Sequence, residues 1–128
     1  MNPFAAPATL SGQYVKLVPL HHSHHDSLVE AVRDGELWNH WYTTIPRPEN
    51  MAGEIQRRLD LQAQGSMCAF AVIDTATNQA VGMTTYMNID AVNRRVEIGS
   101  TWYRKSVQRS SINTEAKRLL LAHAFEQL

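Results

Sequence analysis

The sequence has a single cysteine, no net charge and no long apolar run, and each absence excludes a class of protein. Cys68 alone forms no intrachain disulfide and no cysteine-rich metal site, which is typical of a chain in a reducing compartment. The 12 Lys and Arg residues balance the 12 Asp and Glu residues, so summed charge gives no attraction to nucleic acid. No stretch approaches the roughly 20 apolar residues of a membrane span, and the N-terminus lacks the pattern of a signal peptide. We therefore expect a cytoplasmic protein with no nucleic-acid or membrane partner.

Length and composition indicate one domain. The 128 residues are 44% hydrophobic and 19% charged, the balance of a globular chain. Residues 1–12 are rich in Pro and Ala, and we expect them to form a mobile N-terminus. We expect residues 13–128 to form a single domain, because no internal repeat, low-complexity tract or linker divides them.

The first half of the chain predicts one strand and two helices. Residues 13–20 alternate in polarity and predict a strand. A helix is expected to follow, capped by Ser23 and ended by Asp34 and Gly35. Residues 48–65 predict another helix, because a proline opens the segment, apolar residues recur every four positions and a glycine closes it.

The second half predicts a sheet and a long helix. Residues 67–74, 80–90 and 94–103 are β-rich runs joined by short turns, which predicts three antiparallel strands in a meander. Residues 112–128 predict a helix that is apolar around most of its circumference, and we expect it to be buried on more than one face. The sequence ends there without a helix stop signal, which predicts a domain cut off in mid-fold.

The segment between the last predicted strand and the last predicted helix has the character of a phosphate site. Free backbone N–H groups at a helix start bind phosphate or pyrophosphate, and side-chain donors surround them here. An ordinary polar loop with a capped helix remains the alternative, because no glycine-rich fingerprint is present. The polar residues of this segment are Gln108, Arg109, Ser110, Ser111, Asn113 and Thr114.

Four segments, taken in order, carry a resemblance to a known family. They are Val15–Leu20 (VKLVPL), Val81–Met83 (VGM), Val96–Tyr103 (VEIGSTWY) and Gln108–Lys117 (QRSSINTEAK). With the order of the predicted elements, they resemble the GNAT family of coenzyme A dependent N-acetyltransferases, most closely the branch of ribosomal-protein N-terminal acetyltransferases. The resemblance implies an α/β (α+β) fold, a mostly antiparallel central sheet flanked by helices, here lacking the last strands and helix.

The resemblance implies acetyl-CoA as co-substrate and no metal. In the family, a loop of pattern Gln/Arg-x-x-Gly-x-Gly/Ala cradles the coenzyme A pyrophosphate with its backbone amides. Gln108 fills the first position, whereas Ser111 and Asn113 stand where small residues are expected. A serine there is expected to narrow the cradle or strain the turn by roughly 1 kcal/mol. The implied cofactor-binding residues are Trp102, Tyr103, Gln108, Arg109, Ser110, Ser111, Ile112, Asn113 and Thr114.

The family reaction is direct attack of an amine on the acetyl thioester. By resemblance, Glu97 is the catalytic base that accepts the amine proton. The alternative is a solvated or salt-bridged strand residue beside Arg94 and Arg95. A backbone N–H between Ile98 and Trp102 is implied as the oxyanion donor. The general acid is expected in the missing C-terminal part.

A group of aromatic residues is implied to shape the acceptor pocket, since the helical turn predicted for residues 36–42 flanks the acceptor cleft in this family. A contribution to the hydrophobic core is the alternative for each of them. Asn88 is a further polar candidate on the acceptor side. The implied substrate-binding residues are Trp38, Trp41, Tyr42, Tyr86 and Asn88.

Two further hypotheses come from the histidines and from the incomplete fold. The cluster at His21, His22, His24 and His25 permits metal binding, but a helix start without a supporting ligand pattern favours solvated side chains. The main hypothesis is therefore an N-acetyltransferase acting on a protein N-terminus or a small amine. The alternative is a weakly active or inactive acetyltransferase-like module that binds coenzyme A or forms a homo-oligomer through its incomplete sheet.

Overall fold

Five antiparallel strands form one sheet in the order in which they occur along the chain. The computed structural model describes residues 8–34, 45–90, 92–93, 95–108 and 111–127. The meander follows from the short turns between β-rich runs, and it confirms the expected α/β fold with a mostly antiparallel sheet. The strands are β1 (Leu10–Ser11), β2 (Val15–Pro19), β3 (Met67–Asp74), β4 (Gln79–Asp90) and β5 (Arg95–Tyr103).

Three α-helices cover the sheet, two on one face and one on the other. They are α1 (His25–Arg33), α2 (Met51–Ala63) and α3 (Ser111–Gln127). Short 3-10 turns at His22–His24, Pro48–Asn50 and Lys105–Val107 precede them. None of the helices in the described ranges has the length and apolar character needed to cross a membrane.

The strand β3 shows how the two layers share one sheet. Seven of its eight residues are buried, because helices cover both of its faces. Its odd-numbered residues from Met67 to Ile73 pack towards α1 and α2, and Cys68, Phe70 and Val72 pack towards α3. This alternation gives two apolar clusters separated by the sheet, so the position of α3 is fixed by the second of them.

The beginning of the sheet differs from the expectation for residues 1–12. Leu10 pairs with Leu17 and Ser11 with Lys16, so β1 belongs to the sheet. The turn between β1 and β2 is closed by a hydrogen bond from the Gly12 N–H to the Val15 carbonyl at 2.8 Å. The sequence analysis missed this strand because two residues are too short a stretch to show alternation.

The 3-10 turn that leads into α1 is capped by His21 and not by Ser23, and α1 itself has no side-chain cap. The His21 ring accepts the Ser23 N–H at its Nδ1 atom at 3.0 Å. The His21 N–H is donated to Nδ1 of His24 at 3.1 Å. Together these bonds form a capping box in which each imidazole supplies a lone pair.

The helix α3 is buried on one face. Ile112, Ala116 and Leu120 pack against the sheet. On another face Leu121 is 50% exposed and Phe125 is 82% exposed. Burial on more than one face, as its composition predicted, is therefore not seen among the described residues.

Candidate functional site

A bulge interrupts the pairing of β4 with β5 near the middle of β5. Thr85 pairs with Gly99 and Met83 pairs with Trp102, so one residue of β4 faces two residues of β5. Ser100, one of those two, has a φ of +48°. Such a bulge leaves backbone groups outside the regular ladder. It lies within the stretch between Ile98 and Trp102 where the resemblance implies an N–H donor.

Hydroxyl groups surround this bulge. The Thr85 hydroxyl donates to the Gly99 carbonyl at 2.7 Å, and the Thr101 hydroxyl donates to the same carbonyl at 3.2 Å. The Thr84 and Thr101 hydroxyls lie 2.8 Å apart. Thr84 and Thr85 are fully buried. Sequence reasoning missed this cluster, although a Thr-Thr pair inside an apolar strand is its signal.

A second bulge lies on β4, on the other side of Glu97. Met87 pairs with Glu97 and Asp90 pairs with Arg95, so two residues of β4 face one residue of β5. Asn88, at this bulge, has a φ of +51°. Its Nδ2 atom donates a hydrogen bond to Oε2 of Glu97 at 3.1 Å. Two predicted site residues, one for catalysis and one for the acceptor side, are thus brought into contact.

Glu97 opens onto a cavity of about 640 Å³ between β5 and the C-terminal half of α3. Three charged residues line it, namely Asp90, Arg95 and Glu97. Arg95 lies 3.6 Å from an Asp90 carboxylate oxygen and so pairs with that residue. Within the described ranges Glu97 has no ion-pair partner, so the described lining carries one more negative charge than positive charge. The full lining is Asn88, Asp90, Arg95, Val96, Glu97, Ile98, Leu121, Ala124 and Phe125.

The segment that leads from β5 to α3 is held by side chains at both ends. Asp34 accepts hydrogen bonds from Arg104 Nε at 3.1 Å and from the Ser106 N–H at 3.0 Å. Those bonds, the Ser106 N–H foremost, lower the pKa of the Asp34 carboxyl despite its partial burial. Gln108 donates from Nε2 to the Tyr103 carbonyl at 2.9 Å. The predicted cofactor residue Gln108 therefore shapes the loop.

Three buried polar atoms around this segment have no hydrogen-bond partner among the described residues. They are Nε1 of Trp102, the Tyr103 hydroxyl and Oδ1 of Asn113. Burial raises the pKa of Tyr103 to about 12, so the hydroxyl keeps its proton and can donate a hydrogen bond. Unpaired buried polar atoms are rare in folded proteins and mark places where a ligand or water completes the bonding. Trp102 faces α1 and α2, whereas Tyr103 faces α3, the helix that carries Asn113, and the unpaired atoms of Tyr103 and Asn113 fit a polar ligand such as coenzyme A.

The start of α3 offers the backbone geometry of an anion site. The helix begins at Ser111, and its first turn lies at the positive end of the helix dipole. The strain expected at Ser111 stays a prediction, because its φ involves Ser110, which lies outside the described residues.

Of the remaining residues predicted to bind the cofactor, two are described by the structure, Ile112 and Thr114. Ile112 is buried in the core and anchors the helix. Thr114 is exposed and, with Ser111 and Arg118, lines a small polar cavity of about 220 Å³. Arg109 and Ser110 lie outside the described residues.

Tyr86 lies in the core and not on the cavity that Glu97 lines. It is fully buried, and its hydroxyl donates to the Leu120 carbonyl. Its ring stacks on His123 at 6.0 Å and meets Phe70 edge-on at 5.9 Å. Burial raises the pKa of its hydroxyl. These contacts correspond to the core role that the sequence left open as the alternative to an acceptor contact.

The two aromatic residues at the end of β5, both predicted to bind coenzyme A, are buried. Trp102 is fully buried towards α1 and α2, and Tyr103 is buried towards α3. Trp38, Trp41 and Tyr42 lie outside the described residues.

The histidine cluster takes part in capping and surface hydrogen bonds. His22 lies 2.8 Å from Oε1 of Gln56, and His25 lies 2.9 Å from Oδ1 of Asp26. Within the described ranges no group of three or more His, Cys, Asp or Glu side chains is arranged to hold a metal ion.

Comparison with known proteins gives one family and a set of similar structures. Residues 15–128 match the family described as an acetyltransferase (GNAT) domain. A GCN5-related N-acetyltransferase from Brucella melitensis is similar with a TM-score of 0.77 and 31% identity, over 97% of this chain and 57% of that chain. This chain thus spans little more than half the length of that relative. The comparison with curated proteins found no match.

Two further solved structures are similar in fold, both below 25% identity. An acetyl transferase from Salmonella typhimurium, described as modifying the N-terminal serine of a 50S ribosomal subunit protein, has a TM-score of 0.79 at 18% identity, over 94% of this chain and 69% of that chain. The ribosomal alpha-N-protein acetyltransferase RimL in complex with coenzyme A has a TM-score of 0.73 at 19% identity, over 91% of this chain and 67% of that chain.

Proposed function

The chain belongs to the GNAT acetyltransferase family, and on that premise we propose that it transfers an acetyl group from acetyl-CoA to the primary amine of a protein N-terminus or a small molecule. The observation that carries the proposal is the position of Glu97 between two bulges, beside a cavity whose described lining carries one more negative charge than positive charge. This arrangement provides a base and irregular backbone on the same strand.

Coenzyme A is proposed to bind where β5 ends and α3 begins. When bound, it supplies an acetyl group activated as a thioester. The N–H groups of the first turn of α3 hold its pyrophosphate, since the helix dipole favours an anion there. The residues of this segment that are proposed to bind coenzyme A are Trp102, Tyr103, Gln108, Arg109, Ser110, Ser111, Ile112, Asn113 and Thr114.

Unpaired polar atoms support this placement. The Tyr103 hydroxyl and Oδ1 of Asn113 offer a donor and an acceptor without other partners among the described residues. The two bonds from Arg104 and Ser106 to Asp34 fix the path of the segment before α3. A segment fixed in advance loses less conformational entropy when it binds a ligand.

Glu97 is proposed to prepare the acceptor amine. The amine arrives mostly as an ammonium ion, and the negative cavity attracts it. Glu97 takes its proton, so that the nitrogen lone pair becomes available for attack. A bond forms between this nitrogen and the acetyl carbon, the carbon–sulfur bond breaks, and the thiolate leaves with the electron pair. The nitrogen gives up its second proton to the thiolate, directly or through water, so the products are the amide and free coenzyme A thiol. A backbone N–H at the bulge of Ser100 stabilises the charge on the carbonyl oxygen.

We propose that a peptide N-terminus is the preferred acceptor and a free small amine the less favoured one. The similar protein from Salmonella typhimurium is described as modifying an N-terminal serine, which supports this order. Trp38, Trp41 and Tyr42 are proposed to contribute to the acceptor pocket, with Asn88 at its polar side.

Release of coenzyme A tests the proposed function. The full chain is incubated with acetyl-CoA and a panel of peptides and small amines, and free thiol is measured. We expect acceptor-dependent release, reduced at least about 100-fold in E97Q. The matched control is E126Q, which removes an exposed carboxylate on α3 and is expected to leave the rate unchanged. Thiol release that no acceptor accelerates would reject the proposal.

Self-association is the second candidate function, and the exposed apolar groups of α3 favour it. Leu121 is 50% exposed and Phe125 is 82% exposed, beside the outer edge of β5. No described strand pairs with that edge. Exposed edges and apolar patches favour association. Light scattering of wild type and F125S distinguishes the cases: an oligomer that F125S dissociates supports this candidate, and a monomeric wild type rejects it.

A further inference from the structure

The hydrogen bond between Asn88 and Glu97 depends on an unusual backbone. Glu97 pairs with Met87, so it lies on the same face of the sheet as Met87. In a regular strand Asn88 would point to the opposite face, because successive side chains alternate. The bulge and the φ of +51° at Asn88 change this direction and allow the 3.1 Å bond to Glu97.

A left-handed backbone at a residue other than glycine carries a cost in free energy. Asparagine is the side chain that tolerates it best, but glycine tolerates it better. Strained positions that persist in a fold point to a role for the side chain. At Asn88 the described contact of the side chain is the amide bond to Glu97.

Among the described residues, no neighbouring charge pairs with Glu97. Arg95 pairs with Asp90, and Asp90 also accepts two bonds from Asn93. Asn88 therefore provides the described hydrogen bond that fixes the Glu97 carboxylate at the cavity. The amide donates to the charged form, and its bond to Oε2 leaves Oε1 available to an amine.

We propose that Asn88 is a positioning residue that fixes the Glu97 carboxylate beside the cavity through this hydrogen bond. The proposal rests on the proposed acetyl transfer and adds a residue that acts through the base. Substrate contact by Asn88 is not required for this role.

The first test separates the amide from the backbone. N88G removes the amide and relaxes the backbone, whereas N88A removes the amide and keeps the strain. We expect both to lower kcat about fivefold with little change in KM. The matched control is N78G, at a φ of +57° in the β3–β4 turn, which is expected to leave both readouts unchanged. Full activity in N88G would overturn the proposal.

A double-mutant cycle tests whether Asn88 acts through Glu97. If it does, N88G has no further effect in an E97Q background, and the two effects are not additive. Additive losses would mean that Asn88 acts independently and would overturn the proposal.

NMR provides a readout that does not depend on turnover. The rotamer populations of the Glu97 side chain are measured from scalar couplings in wild type and N88G. Loss of the amide donor is expected to increase rotamer averaging at Glu97. Equal populations would overturn the positioning role even in an active enzyme. Increased averaging in a chain without turnover would support it while rejecting the acetyl transfer.

Discussion

The Glu115 carboxylate, on the second turn of α3, accepts the backbone N–H of Val15 at 2.9 Å, although 100 residues separate them. The Tyr14 N–H donates to the same oxygen at 2.6 Å. The helix proposed to hold coenzyme A is thus tied to the first strands of the sheet. Burial acts to raise the pKa of Glu115, but the N–H donors outweigh it and the pKa is lowered.

Replacing Glu115 tests this tie. E115Q keeps an acceptor oxygen but loses its charge, and we expect a loss of about 1 kcal/mol in the free energy of unfolding at neutral pH. Because the folded pKa lies below the ordinary value of 4.5, the contribution is present above that pH and is lost as pH falls through the folded value. Urea unfolding at several pH values measures both effects. If wild type were as much more stable than E115Q at pH 3 as it is at pH 7, this account would be contradicted.

Asp34 is predicted to support cofactor binding from a distance. The hydrogen bonds from Arg104 and from the Ser106 N–H to Asp34 fix the segment before α3. D34N weakens both bonds, because it removes the negative charge of the acceptor. We expect acetyl-CoA to bind several-fold more weakly, as measured by calorimetric titration. The matched control is D26N on the same helix, whose side chain is fully exposed. Equal affinity in D34N and D26N would show that the segment keeps its path without Asp34.

Ser100 is predicted to store backbone strain. At its φ of +48°, glycine is favoured, so S100G is expected to stabilise the fold by up to about 1 kcal/mol. S100A removes the hydroxyl, which lies 3.7 Å from the Met87 sulfur, but keeps the strain. Thermal unfolding should therefore rank S100G above both S100A and wild type. A ranking with S100G lowest would contradict a left-handed backbone at this bulge.

The capping histidines are predicted to make the start of α1 sensitive to acid. Burial is the main cause that lowers the pKa of His24, and the His21 ring adds to it. The neutral ring is therefore the stable form, so its contribution is complete above the ordinary value of 6.5 and is lost as pH falls below it. H24Q can keep the capping box without titrating, whereas H24A removes it. Stability measured between pH 7.5 and 5 should fall less in H24Q than in wild type. An identical slope in both would exclude His24 as the titrating group.

The regular elements could be predicted because their periods are local. Buried runs such as Met67–Asp74 and the four-residue spacing of Met51 and Ile55 are visible in the sequence alone. The ends of the elements were harder to predict. β1 is too short to show a pattern, and the turn before α1 is capped by histidine where serine was expected.

The candidate site was predicted in its residues but not in its geometry. Glu97 and Asn88 were both named, yet their contact depends on a bulge whose backbone is set by the pairing of two strands. The bond of Asp34 to Ser106 joins residues 72 positions apart, and no local pattern indicates it. A tyrosine such as Tyr86 is common both in ligand pockets and in cores, and its residue type does not distinguish the two. The packing of α3 against Tyr86 places it in the core.

Transfer of an acetyl group to a peptide is the most direct test of the proposed function. The full chain is incubated with acetyl-CoA and a peptide with a free N-terminal serine, and the intact peptide mass is followed with time. We predict a time-dependent mass increase of one acetyl group at the N-terminus, nearly abolished in E97Q. An unchanged peptide mass, or equal acetylation by wild type and E97Q, would contradict the account.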